Sequence, residues 1–154
     1  IDKFSANLET LPDCVSDETT MQWWKNYPEA WHACRKDCQP PAVAMKNYHD
    51  WLTTLPGRII FIAKPLVFDF GFIDYYLKRF VGTNPFGFSA IDIRSVALGF
   101  LGSSFQEAGS HHFPKDWFEN LPHPHIAIED ALEQGIVFCN LLQSAKQKRS
   151  KESE

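Results

Sequence analysis

The sequence Arg58-Ile59-Ile60-Phe61-Ile62-Ala63 follows Pro56-Gly57 and ends at Lys64-Pro65. A short, unbroken apolar run between two turn signals is typical of a strand that is buried on both faces. Apolar residues then recur at helical spacing over residues 68–80. A buried strand followed by a helix predicts an α/β layered fold.

Further helices and one further strand are predicted on both sides of this unit. In chain order they are a weak strand over 3–8, a helix from Ser16, a helix from Pro28, a helix over 42–55, a strand over 89–93, a helix over 94–101 and a last helix from His125. A polar loop that contains histidines, residues 102–124, precedes the last helix. We expect one domain over 1–145 and a solvated, frayed polar tail over 146–154.

Composition excludes several classes of protein. The 154 residues are 44% hydrophobic and 22% charged, which excludes wholesale disorder. No apolar run approaches about 18 residues, so we expect no membrane-spanning segment. Domains that bind a nucleic-acid duplex by neutralising its phosphates are basic, whereas this chain has a net charge of −4. A polyanion would have to be held locally, for instance through metal ions.

The four cysteines are Cys14, Cys34, Cys38 and Cys139, and the one close pair has His32 just upstream. A zinc site needs four ligands at recognisable spacing, and a second close pair is absent from the sequence. Helical spacing places Cys34 and Cys38 on one face, which fits buried or half-buried thiols. Four thiols without a secretion signal indicate a reducing, cytoplasmic location.

Asp69 is the first candidate for chemistry, because it follows the predicted strand closely and has phenylalanines on both sides. A carboxylate in apolar surroundings is unfavourable unless a positive group meets it. The alternative is a helix N-cap or a first-turn acid that interacts with the helix dipole. Lys64, in the turn before Asp69, is either a contact for a substrate phosphate or a surface lysine.

His125 and Asp130 form the second candidate cluster, at the start of the last helix. Read in isolation, an acid in a first helical turn and a histidine before a helix are more often structural than functional.

Together, the two clusters resemble a known family. Phe68-Asp69-Phe70-Gly71-Phe72 after a buried strand, followed by His125-x-Ala127-x-x-Asp130-Ala131, resembles motifs two and three of the DEDDh group of 3′–5′ exonucleases. Asp92 lies where many members also have an aspartate. Weaker likeness runs through Asn7-Leu8-Glu9 and residues 20–24, so that the resemblance extends over most of residues 4–142.

The resemblance implies a ribonuclease H-like, three-layer α/β fold with a mixed sheet flanked by helices. It implies that Asp69 and Asp130 are metal ligands for two divalent cations, Mg²⁺ or Mn²⁺, which prefer carboxylate oxygens. It also implies that His125 is the general base, a role that suits an imidazole. Lys64 and Phe72 are the candidate substrate contacts. The implied activity releases nucleoside 5′-monophosphates from the 3′ end of single-stranded nucleic acid, with RNA slightly favoured over DNA.

The first motif of this family, Asp-x-Glu on the first strand, has no counterpart in the sequence. Asn7-Leu8-Glu9 has Asn where the Asp belongs, and Asp17-Glu18 lacks the intervening residue. The expectation is that the chain, which begins at Ile1, starts after that motif and lacks the first strand. The alternative function is a non-catalytic exonuclease-fold domain that binds nucleic acid or a protein partner. Family members are often dimers, so a homodimer is a possible assembly.

Aromatic and histidine side chains supply the remaining candidates. The five tryptophans either stack on bases or belong to the core, and helical spacing favours the core for most of them. The loop residues His111, His112 and His123 either contact phosphate or are solvated, and solvation is favoured.

Overall fold

A computed structural model describes residues 2–118 and 125–151, the side chain of Ser110 excepted. Its elements are α1 (Glu18–Trp24), α2 (Pro28–Arg35), α3 (Pro41–Thr54), β1 (Phe61–Ala63), α4 (Leu66–Phe80), β2 (Ala90–Asp92), α5 (Ile93–Leu101) and α6 (Ala127–Lys151). Two short 3₁₀ helices, Ser110–His112 and Lys115–Trp117, lie in the predicted polar loop. The α/β fold class is therefore confirmed, and most of the regular secondary structure is helical.

Contacts divide the chain into two compact units. The first comprises the described residues of 1–59, 73–87 and 123–130, and the second those of 60–72, 88–122 and 131–154. Helix α6 continues to Lys151, so residues 146–151 of the expected tail are helical. The boundary at residue 145 stays a prediction.

The sheet of the second unit has two parallel strands in the described part of the chain. Phe61 is opposite Ala90, Ile62 opposite Ile91 and Ala63 opposite Asp92. Parallel neighbours need a crossover, and α4 lies between them in sequence. The prediction of a strand buried on both faces is wrong: within the described residues the strand spans Phe61–Ala63 alone, and Ile60 is 47% exposed. A sheet of two strands covers little area, so Phe61 and Ile62 are only half-buried. The ribonuclease H-like mixed sheet stays a prediction.

The core of the second unit lies around Trp117, which is 1% exposed. Its indole Nε1 donates a hydrogen bond to Ser144 Oγ at 3.1 Å, and Asn140 Nδ2 donates one to its carbonyl oxygen at 3.1 Å. Burial of an indole is favourable when its N–H keeps a partner, as it does here. The other buried members of this core are Ile93, Ala97, Phe113, Val137, Phe138 and Leu141.

The first unit contains α1, α2 and α3. As the spacing predicts, α3 buries Met45 and Leu52. The weak strand over 3–8 is wrong: Leu8 makes only an isolated parallel bridge to Gln39. Asn7 Nδ2 holds that segment to the end of α2, because it donates to the carbonyl oxygens of Ala33 and Lys36 at 2.8 Å each.

The prediction that Cys34 and Cys38 share a helix face is wrong. Helix α2 ends at Arg35, and Asp37 has a φ of 50°, in the left-handed region, which turns the chain before Cys38. Both thiols are half-buried, as expected. Among the described residues, no group of three or more His, Cys, Asp or Glu side chains is placed to hold a metal ion.

Candidate active site

Asp69 is the fourth residue of α4 and lies in its first turn, in the second unit. A first-turn acid is favoured there by the helix dipole. The carboxylate is half-buried, and this burial raises its pKa above the ordinary value of 3.8. Within the described part of the chain, no side chain or amide donates a hydrogen bond to it. A partly desolvated carboxylate without a positive partner is suited to binding a cation.

Lys64 directly follows β1 and begins the turn that leads to α4, and its side chain is half-buried. Its ammonium nitrogen lies 5.4 Å from the ring centroid of Phe113, a cation–π distance. Burial lowers the pKa of Lys64, and Arg94 adds to this effect, whereas Glu133 and Asp92 oppose it. The Lys64 side chain therefore packs against protein groups rather than extending into open solvent.

Phe72 is 55% exposed and Phe68, one helical turn earlier, is 63% exposed. Their ring centroids are 5.0 Å apart and the rings meet edge to face. The two rings make a small aromatic surface on the same helix as Asp69. Exposed aromatic rings of this kind are where nucleobases stack in proteins that bind single strands.

His125 and Asp130 lie in the first unit. The helix begins at Ala127, so His125 lies two residues before it, with a φ of 55°. The imidazole centroid is 4.3 Å from that of Tyr27 and 5.2 Å from that of Trp23, and both contacts are edge to face. Asp130 is the fourth residue of α6, and its amide donates to the carbonyl oxygen of Ile126 at 3.0 Å. The end of α1 and the turn after it therefore help to orient the imidazole.

The structure thus places Lys64, Asp69 and Phe72 in the second unit and His125 and Asp130 in the first. Two carboxylates supply too few oxygens for Mg²⁺ or Mn²⁺, which take about six ligands. Since the described residues also gather no group of three candidate ligands, they do not by themselves fit a complete two-metal centre.

Two residues that contact these candidates are not evident from the sequence. Tyr27 contacts His125, but a single tyrosine between two helices carries no signal. Gln134 accepts a hydrogen bond from the Lys64 amide at 2.7 Å, a contact between residues far apart in the chain. Asp92 is the N-cap of α5, because its side chain accepts a hydrogen bond from the Ser95 amide.

The remaining candidates, the tryptophans and the loop histidines, differ in solvent exposure. Trp117 is buried and Trp24 and Trp51 are half-buried, whereas Trp23 is 41% and Trp31 is 37% exposed and neither belongs to the core. Helix α1 is short and buries none of its residues, which is why its indoles remain accessible. His111 and His112 are exposed, which agrees with the prediction that they are solvated. His123 lies outside the described residues.

No protein-family model matches the chain. The chain is 30% identical over 101 residues to the 3′-5′ DNA exonuclease Cap18 of Escherichia coli, an alignment that covers 64% of the chain and 54% of that protein. The chain therefore spans about half the length of this curated relative. The similarity supports an exonuclease relationship. In the part of the chain that the structure describes, no helix has both the length and the apolar character needed to cross a bilayer.

Proposed function

We propose that the chain is the catalytic part of a metal-dependent 3′–5′ exonuclease that releases nucleoside 5′-monophosphates from single-stranded nucleic acid. The observation that carries the proposal is Asp69, a half-buried carboxylate with no cationic partner among the described residues. It belongs to a chain that is similar to an exonuclease over 101 residues. The DEDDh subtype and the ribonuclease H-like fold are part of the proposal.

His125 would act as the general base. A water molecule loses a proton to the imidazole and attacks the terminal phosphorus, and the bond to the 3′ oxygen of the preceding nucleotide breaks. That oxygen takes up a proton, so a free 3′ hydroxyl and a nucleoside 5′-monophosphate are formed. The edge-to-face contacts with Tyr27 and Trp23 restrict the imidazole to few orientations, which favours transfer along one direction.

Asp69 and Asp130 would bind divalent cations, Mg²⁺ or Mn²⁺. Such ions, when bound, polarise the phosphate and stabilise the charge on the leaving oxygen. The remaining ligands would come from acidic residues other than those the described structure gathers.

Lys64 and Phe72 would contact the substrate, the lysine through a phosphate and the ring through a base. RNA is the slightly favoured substrate in this proposal, whereas the relative is named for DNA. Because proteins distinguish RNA from DNA at the 2′-hydroxyl, matched strands of both kinds belong in every assay. A cytoplasmic location and a homodimer are parts of the proposal that sedimentation and fractionation can examine.

A non-catalytic role is the second candidate, and one observation favours it. The described residues bring no three candidate metal ligands together, and a domain that only binds nucleic acid or a protein does not need them. The two functions differ in one measurable respect, which is the release of nucleotide.

The test uses the protein expressed from its complete reading frame, with 5′-labelled single strands of DNA and RNA and either Mg²⁺ or Mn²⁺. We expect stepwise shortening from the 3′ end and nucleoside 5′-monophosphates on chromatography. His125→Ala should lower the rate by about 10²- to 10⁴-fold, as expected for loss of a general base, with little change in metal affinity. Asp130→Asn should weaken metal binding as well as the rate.

The matched control is His32→Ala, which removes an exposed imidazole from α2 and should leave the rate unchanged. Full activity of a folded His125→Ala variant would remove this residue from the mechanism. Absence of nucleotide release from the wild-type protein, together with retained binding of single strands, would establish the non-catalytic alternative.

A further inference from the structure

A continuous run of aromatic rings in the first unit ends at His125. Neighbouring ring centroids are 4.3 Å apart for His125 and Tyr27, 4.6 Å for Tyr27 and Trp23, 5.0 Å for Trp23 and Trp24, and 5.4 Å for Trp24 and Trp31. These five rings form what we term the aromatic surface. All of them belong to one compact unit, so the distances between them are set within that unit.

The local fold explains why the aromatic surface is accessible to solvent. Helix α1 has only seven residues and buries none of them, and its last turn carries Trp23, which is 41% exposed. Trp31, on α2, is 37% exposed. Contiguous exposed apolar groups are unfavourable in water and are typical of sites that bind another molecule. The aromatic surface is therefore a candidate binding site.

The chemistry of the aromatic surface favours a nucleobase as its ligand. Indole rings offer broad π faces on which any base can stack. The Arg35 guanidinium lies 5.9 Å from the centroid of the Trp31 ring, so a cation that can meet a phosphate adjoins the rings. The charge and the rings together match a nucleotide better than they match an aliphatic ligand.

The position of Trp23 indicates which nucleotide would be bound. Its ring centroid is 5.2 Å from that of His125, the imidazole proposed to take the proton of the attacking water. The phosphate under attack belongs to the 3′-terminal nucleotide. A base that stacks on Trp23 would therefore be the base of that nucleotide.

We propose that Trp23 stacks on the base of the 3′-terminal nucleotide. The assignment rests on the proposed function for the identity of the strand, and on the ring contacts and the exposure of Trp23 for the site itself. It does not depend on how divalent cations are held. Stacking of one base on an aromatic side chain changes affinity by about 5- to 150-fold and tolerates any base.

The experiment compares two ligands that differ by one base. Adenosine 5′-monophosphate is an expected product, so the protein does not degrade it, and ribose 5-phosphate is the same molecule without its base. The 2′-deoxy forms of both are titrated in parallel, because the sugar preference is open. Calorimetry in the presence of Mn²⁺ measures affinity, and quenching of tryptophan fluorescence reports stacking. Binding is measured rather than rate, because Trp23 also contacts the imidazole.

Three variants separate the ring from its surroundings. Trp23→Ala removes the ring, and Trp23→Phe keeps a ring but removes the indole. Phe88→Ala is the control, because it removes a ring that is 96% exposed and belongs to the second unit. Circular dichroism checks that each variant is folded.

We expect the wild-type protein to bind the nucleotide at least about fivefold more tightly than the sugar phosphate, with quenching. Trp23→Ala should lower nucleotide affinity by about 5- to 150-fold and leave sugar-phosphate affinity within about threefold. Trp23→Phe should keep most of the nucleotide affinity and lose most of the quenching. Phe88→Ala should behave as the wild-type protein does.

Equal affinity of the wild-type protein for nucleotide and sugar phosphate in both sugar forms, including binding of neither, would overturn the assignment. A preference for the base that survives in Trp23→Ala and disappears in Phe72→Ala would place the terminal base on the second unit instead. A dimer that Trp23→Ala dissociates in sedimentation, without any preference for the base, would assign the aromatic surface to a second copy of the chain. Each of these results leaves the proposed function standing where nucleotide release is intact, whereas absence of release contradicts the proposed function itself.

Discussion

At the scale of single residues, Asp69 combines a destabilising position with a proposed function. Burial raises its pKa, so the folded state holds a proton to higher pH than the unfolded chain does. Stability from this group therefore falls as the pH rises through the interval above 3.8, and the full penalty is present at neutral pH. Residues that serve function at the expense of stability behave in this way.

The prediction is that Asp69→Asn raises the melting temperature at pH 7, because it removes a half-buried charge. The gain should shrink towards zero below about pH 4, where the aspartate is protonated in both states. Thermal unfolding followed by circular dichroism between pH 3.5 and 7.5, without divalent cations, measures it. Asp116→Asn, which alters an exposed carboxylate, is the control and should show little change at any pH. A variant less stable than wild type at pH 7 would show that the favourable interaction of Asp69 with the α4 dipole outweighs its burial.

At the scale of elements, the sequence predicts helices well and strands poorly. Residues 42–55 carry several apolar side chains at one period, and the structure has a helix over Pro41–Thr54. The apolar run 58–63 has no period that distinguishes a buried strand from a half-exposed one. Its burial depends on how many strands join the sheet, which is a tertiary property, and here only β2 pairs with it in the described structure.

The core of the second unit yields a prediction about α6, where two adjacent leucines have opposite environments. Leu141 is 0% exposed and Leu142 is 40% exposed. Leu141→Ala should lower the free energy of unfolding by about 2–5 kcal/mol, because it removes buried methyl groups and leaves a cavity. Leu142→Ala should lower it by less than about 1 kcal/mol. Urea denaturation of both variants measures the difference, and equal losses would mean that α6 does not pack as described.

At the scale of the whole molecule, the candidate site is only partly predictable. Asp69, His125 and Asp130 can be proposed from the sequence because each belongs to a pattern that spans only a few positions of the chain. The structure adds Tyr27 and Gln134, which reach His125 and Lys64 from elements that are distant in sequence. Contacts of this kind follow from packing, and no local pattern encodes them.

The net charge of the chain leads us to expect that its binding of single strands depends on cations. With a net charge of −4, the chain has little capacity to hold single strands by phosphate neutralisation alone, so cations should mediate the binding. If His125 is the general base, as proposed, the His125→Ala variant leaves the strand intact. We then expect this variant to bind a labelled oligonucleotide with Mn²⁺ and to bind it at least about tenfold more weakly in EDTA. The slope of log affinity against log salt should be about −0.7 to −1.4, which corresponds to one or two phosphate contacts.

The basic end of α6, with Lys146, Lys148, Arg149 and Lys151, is the feature that competes with this explanation. A chain shortened to residues 1–145 tests it, because this deletion removes those charges and none of the buried residues. If cations carry the binding, the shortened chain should keep its Mn²⁺-dependent affinity within about threefold, since each exposed cation contributes little. Binding that is steeply salt-dependent, indifferent to EDTA and lost with residues 146–154 would instead assign nucleic-acid binding to this helix end and contradict a cation-mediated site.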